Sequence, residues 1–284
     1  MEVVVPQEPI RTLIVNSNTS VVVNGSDTMS FQGLTITTMQ SSILCSNVGI
    51  QGGGLLLQST SGDVTVESVI IDASTSSTAE YPARVYSALG LVSLSNVVLS
   101  QSDLDVETGA SSLTFSVNTG RSHIQAKSSS ASISVGDIQA NWVTLKSATG
   151  DIYGTELLID GNSAFTGRLE VTTISGSIDL EEITASGTVH VESASGKISV
   201  QLVTQTFAGM YYMRSEYGSM SIRQTNYSSD IISEAADSID GLEKHGSINC
   251  DQATSNCLAF GSLYLRSTLG DIDIILGCDT YSCS

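Results

Sequence analysis

The chain has 284 residues, 40% of them hydrophobic and only 14% charged, and its 29 acidic against 11 basic side chains leave a formal charge of −18. That balance excludes a nucleic-acid surface, because displacing phosphate counterions takes clustered Lys and Arg, and it opposes docking on an anionic bilayer. Aromatic residues make up 5%, too few for a core of packed rings, whereas Val, Ile and Leu alternating with Ser and Thr suit a narrow β interior.

Residues 1–45 are β-rich without a strict period, as in Leu13-Ile14-Val15, Val21-Val22-Val23 and Leu34-Thr35-Ile36. They are expected to form the first coils or an N-terminal cap. The opening Met1-Glu2-Val3-Val4-Val5-Pro6 is acidic and too short an apolar run for a secretory signal. No apolar stretch of about 18 residues exists to cross a membrane, so no direct insertion is expected. Asn18, Asn24 and Asn226 each open an Asn-x-Ser/Thr sequon and are candidate glycosylation sites.

Residues 46–276 carry a 14-residue pattern: small, x, apolar, x, apolar, x, Ser/Thr, x, x, Gly, x, apolar, x, apolar. It is clearest from Gly53, Gly187 and Gly261, recurs from Asn141, Gly167 and Gly209, and is weaker from Ser111 with Leu113, Phe115 and Gly120. Alternate apolar residues flag a strand with one buried face. Each copy therefore predicts two strands around a turn, as in Ser193-Ala194-Ser195-Gly196-Lys197. There Gly is expected to supply a positive φ, and Ser and Asp to bond local backbone. A third apolar stretch often follows (Val69-Ile70-Ile71), giving two to three strands per coil.

Repeats at about 20 to 28 residues predict a single-stranded β-solenoid of roughly ten coils, forming one elongated all-β domain. The coils are expected to stack in chain order, with the cysteine-rich end closing the stack. Polar insertions at residues 74–82 and 227–243 break the pitch. Tyr81, Tyr227 and Trp142, the last outward by alternation, are candidate contact residues.

Cys250, Cys257, Cys278 and Cys283 crowd the final coil and a half and the tail 277–284. In an oxidising compartment they are candidates for disulfides, with three pairings open. The fifth, Cys45, lies far from them in sequence. No CxxC and no neighbouring His argues for a metal instead.

The turn acids Asp63, Asp151 and Asp271 alternate with Ser177, Lys197, Ser219 and Ser247 at the same repeat position. They therefore read as turn residues, not as a catalytic set. His123, His190 and His245 fall in different coils. No catalytic residue, cofactor or metal ligand is assigned. A carbohydrate-active β-helix enzyme stays open as the alternative, since such folds do carry clustered carboxylates.

The Ser-x-x-Gly-(Asp/Ser/Lys)-(Ile/Val)-x-(Val/Ile/Leu) units at 59–66, 147–152, 193–200, 215–222 and 267–274 resemble the adhesin-type β-solenoid family, a Ser-Gly-Asp-Ile/Val repeat domain without an assigned function. The resemblance implies a non-enzymatic module at the cell surface or outside the cell, with an adhesive or structural role and no catalytic residues to carry over. Its partner is expected to be a protein or glycan surface, with end-to-end or lateral self-association as a further route. A cytoplasmic scaffold is the alternative.

Overall fold

The computed structural model describes residues 10–25, 29–51, 54–72, 83–119, 123–160, 167–203, 207, 209–224, 232–234, 242–248 and 261–277. Every regular element among them is a strand. The chain divides into two compact units, Met1–Ala140 and Asn141–Ser284.

The strands of the first unit are β1 (Ile10–Ser17), β2 (Val21–Asn24), β3 (Ser30–Thr38), β4 (Ile43–Gln51), β5 (Leu55–Ser59), β6 (Val64–Asp72), β7 (Ala83–Ser87), β8 (Val92–Ser100), β9 (Leu104–Thr108), β10 (Leu113–Thr119), β11 (His123–Ser128) and β12 (Ile133–Ala140). Apart from a short parallel contact of β3 with β4 (Ser30 with Gly49, Phe31 with Ile50), odd strands pair in parallel with odd, and even with even, so each successive pair forms one coil. The step from coil to coil ranges from 19 residues (31 to 50) to 28 (57 to 85). Register places like on like: Val15, Ile36, Leu57, Val85, Val106 and Ala126 form one buried column. This is the predicted solenoid, and residues 10–45 are coils of it.

The expected third apolar stretch is the far half of the even strand. In β6, Val64 and Val66 point inward, Glu67 and Ser68 do not, and Val69 and Ile71 point inward again. The alternation resets at Ser68, whose φ is 53°, and the equivalent corner residues Asn47 and Asn96 share that conformation. Two strands per coil thus make three sides.

The weak repeat that begins at Ser111 lies one strand out of phase with the coils. Leu113 and Phe115 stack on Val92 and Leu94, so they belong to the second strand of a coil whose first strand is β9. Thr108 occupies the Ser/Thr position of that coil.

The second unit comprises β13 (Trp142–Ser147), β14 (Ile152–Ile159), β15 (Arg168–Thr173), β16 (Ile178–Ala185), β17 (Thr188–Ser193), β18 (Ile198–Val203), β19 (Gly209–Ser215), β20 (Met220–Gln224), β21 (Ile232–Glu234), β22 (Glu243–Ile248), β23 (Ser262–Ser267) and β24 (Ile272–Gly277). Here the stacking departs from chain order. β23 pairs with β17 on one side and β19 on the other, while β24 pairs with β18 and β20. The coil 261–277 is therefore not the last layer but is inserted beneath the coil 209–224. The outer side of β19 is covered by β22, antiparallel, which in turn pairs with β21. Gly246-Ser247-Ile248 lies in that antiparallel strand, although it matches the second half of the repeat. The cysteine-rich segment does not follow a terminal layer, as had been expected. Because every coil carries the same pattern, the pattern sets register and leaves layer order open.

The turns explain the Ser-x-x-Gly signature. Ser193 Oγ accepts the amide hydrogen of Gly196 (2.8 Å) and donates to the carbonyl oxygen of Gly176 in the coil below (2.9 Å). Ser267 repeats this with Gly270 (2.8 Å) and Gly196 (3.4 Å), and Ser215 with Gly218 (2.8 Å) and Gly270 (3.1 Å). These hydroxyls are buried, where an unpaired donor or acceptor would be costly. Gly196 and Gly270 do not have positive φ, contrary to the sequence expectation. A Cβ on Gly196 would stand 1.9 Å from Gly176 O, and one on Gly270 2.0 Å from Gly196 O. Close approach of backbone to backbone, not turn conformation, requires glycine here.

Gly196→Ala is expected to lower stability by about 3 kcal/mol or more, read as a shift of the urea midpoint. Gly33→Ala, whose Cβ would meet nothing nearer than 3.7 Å, should leave that midpoint unchanged or slightly raised. Equal losses in the two variants would contradict the close-approach reading.

Candidate interaction face

In a parallel ladder, residues in register stand about 4.8 Å apart on one face, so outward positions of successive coils form columns. On the first-strand side of the second unit, one column runs Glu170, His190, Tyr264, Tyr212. β22 extends it with His245, the register partner of Tyr212. A neighbouring column runs Thr172, Glu192, Arg266, Arg214 and ends at Glu243. Trp142 and Arg168 begin a third.

The rings touch along their column. Tyr212 and Tyr264 stack with centroids 5.1 Å apart and planes 5° from parallel, and His190 meets Tyr264 edge-on at 4.7 Å. Arg168 holds its guanidinium 5.0 Å above the Trp142 ring while reaching Glu170 at 3.3 Å. Trp142 is 39% exposed, so alternation placed it correctly.

Charges on this face are matched. Lys146 contacts Glu170 at 2.8 Å, Arg266 reaches Glu192 at 3.4 Å, and Arg214 lies 3.5 Å from Glu243 and 3.9 Å from Glu216. The Lys146 hydrogen bond holds Glu170 below the usual carboxylate range against the opposing effect of partial burial. Burial, followed by a hydrogen bond to Glu243 and its charge, raises the Tyr212 phenol. Four of the chain's 11 basic side chains (Lys146, Arg168, Arg214 and Arg266) thus gather on one face of a strongly acidic protein. With four carboxylates beside them the face is close to neutral, which favours short-range contact over long-range steering.

The turn acids do different work. Asp63, Asp151 and Asp271 accept the backbone N–H of Leu91 (2.8 Å), Ser177 (2.7 Å) and Ser219 (2.7 Å) in the adjacent coil. Their bonds join layers where local bonding had been expected. On the strands that follow those turns, Ser221 and Arg223 of β20 both bond the largely buried Asp273 of β24, whose pKa is lowered although desolvation, the largest influence, acts to raise it. Among the described residues, no group of three or more His, Cys, Asp or Glu is placed to hold a metal ion.

The other sequence candidates scatter. Asn18 is exposed in the turn after β1, and Asn24 accepts through Oδ1 from Ser46 (3.1 Å) and Asn47 (3.2 Å). Tyr81, Tyr227, Asn226, Cys250, Cys257, Cys278 and Cys283 lie outside the described residues. Cys45 is a free thiol sealed in the first unit, and burial pushes it up to about 12, leaving it unreactive at neutral pH. Tyr212 and Tyr264 were missed. Both sit at the fourth position of the repeat, the position of Glu170 and His190, but adjacency depends on layer order.

The family model for Toastrack DUF4097 matches residues 83–256, more than half of the chain. The chain belongs to the Toastrack family. No curated protein and no solved structure matches it. The Toastrack match agrees with the β-solenoid architecture and ends before β23, so the inserted coil lies beyond the matched region.

Glu170 has a lowered folded-state pKa, so its ion pair contributes stability above the unfolded value, about 4.3, and loses it as pH falls through the folded value. Glu170→Gln should therefore be less stable than the parent in urea at pH 7, with the gap closing towards about pH 3. A gap of the same size at both pH values would contradict the assignment.

Proposed function

We propose that this Toastrack chain is a non-enzymatic interaction module that holds the aromatic–arginine face of its second unit against a protein or glycan surface outside the cell or at the cell surface. The supporting observation is the column His190, Tyr264, Tyr212 flanked by Arg266 and Arg214, with Trp142 and Arg168 nearby. Tyr, Trp and Arg are the residues that dominate binding energy at interfaces. They are set here on paired strands, where order costs little on binding. Extracellular placement accords with the sequons and with the terminal cysteines as disulfide candidates.

The carbohydrate-active enzyme alternative asks for carboxylates free to move protons. The acids on this face are engaged with Lys or Arg, and the turn acids with backbone amides of neighbouring coils. No observation favours that reading.

A panel of glycans and purified surface proteins tests the proposal. Binding to at least one class is expected, weakened tenfold or more by Tyr264→Ala and little changed by Gln58→Ala in the first unit. A ligand indifferent to both Tyr264→Ala and Tyr212→Ala, or release of new reducing ends from a polysaccharide, would overturn it.

A further inference from the structure

The coil 261–277 occupies a slot whose far wall is built by residues that precede it in the chain. β17 and β18 form one wall, and β19 and β20 the other. Both walls meet the inserted coil in one register: Val189, Leu263 and Tyr211 align, as do Ile198, Ile272 and Met220. The slot is thus shaped for one more copy of the repeat.

It also discriminates among copies. Ser219 offers its amide (2.7 Å) and its hydroxyl (2.9 Å) to one oxygen of Asp271, and Ser221 and Arg223 close on Asp273. Glu192 on the opposite wall reaches Arg266. A strand pair carrying apolar-x-apolar-Arg-Ser-x-x-Gly-Asp-Ile-Asp-Ile satisfies all of these, and residues 261–277 are such a pair. The same residues of a second molecule are chemically identical.

Chain order sets the vulnerability. Both walls are complete in sequence before residue 261 is reached, so a molecule without its inserted coil presents unpaired strand edges on two sides. Open edges recruit a further strand. Exchange of an identical element between copies preserves every native contact.

We propose that the coil 261–277 is an exchangeable layer: one copy of the chain docks it into the open slot of a second copy, between β17/β18 and β19/β20, and receives that copy's coil in return. This rests on layer order and register and is independent of the interaction face.

The test uses the full chain. An isotope-labelled copy with Ser262→benzoylphenylalanine is refolded with an equal amount of unlabelled wild type at rising concentration, then irradiated. Ser262 lies in register with Thr188 and Met210, its hydroxyl 3.2 Å from that of Thr188, so cross-links should fall on β17 or β19. Mixed-isotope cross-links that increase with concentration, alongside a dimer on a sizing column, are expected. Asp271→Lys in the labelled copy alone should reduce the mixed cross-links tenfold or more, since the unlabelled recipient keeps its slot. Same-isotope cross-links only at every concentration, no cross-links to β17 or β19, or mixed cross-links indifferent to Asp271→Lys would each overturn the proposal.

Discussion

A buried hydroxyl that bonds two glycines, one in its own turn and one in the next coil, fastens the turns of each unit at the spacing that the parallel ladders set. Ser193, bridging Gly196 and Gly176, is the clearest case, and Ser87 does the same with Gly90 and Gly62 in the first unit. Each such bond contributes about 1 kcal/mol net. The larger effect is negative: a hydroxyl without either partner would be left unsatisfied in a dry interior, and a side chain on either glycine would collide with backbone. The aliphatic columns then fill the space that this spacing defines, which is why Val, Ile and Leu suffice and large rings are rare.

A uniform ladder stacks any coil on any other, so something else must specify sequence of layers. Side-chain pairs that only particular coils carry supply it, Arg266 with Glu192 and Asp273 with Arg223. Asp63, Asp151 and Asp271 add a bond to the backbone amide at the equivalent turn position of the adjacent coil, Leu91, Ser177 and Ser219. In the second unit Asp271 bonds Ser219, and with Asp273 and Arg223 it fastens the coil 209–224 above 261–277. Surface chemistry follows from this order: only with 261–277 inserted does Tyr264 stand between His190 and Tyr212, and Arg266 beside Glu192.

The strand positions of the strong repeats were legible because period-two alternation and Ser-x-x-Gly both report local backbone, as at Gly187 and Gly196. Three features were not. The Ser111 copy falls out of phase because Thr108 is followed three residues on by Ser111, where Ser87, Ser147 and Ser193 are followed by glycine, so the marker of the turn is absent. The role of glycine at position 196 was misjudged because a close approach involves a residue in another coil, which local pattern does not contain. Layer order was hidden by the very identity of the repeats, and the Tyr212–Tyr264 stack was hidden with it. Trp142 faces outward by alternation alone, and it does lie on the face now proposed to bind. Its charged neighbour Arg168 arrives only through stacking.

The order of glycines through the second unit reports the inserted layer most directly. Nuclear Overhauser contacts between Hα protons of glycines in adjacent turns report that order without reference to any ligand. Gly196 should show contacts to Gly270, and Gly270 to Gly218, with none between Gly196 and Gly218. A direct Gly196–Gly218 contact, with Gly270 at neither, would place the coils in chain order and contradict the inserted layer on which the face depends.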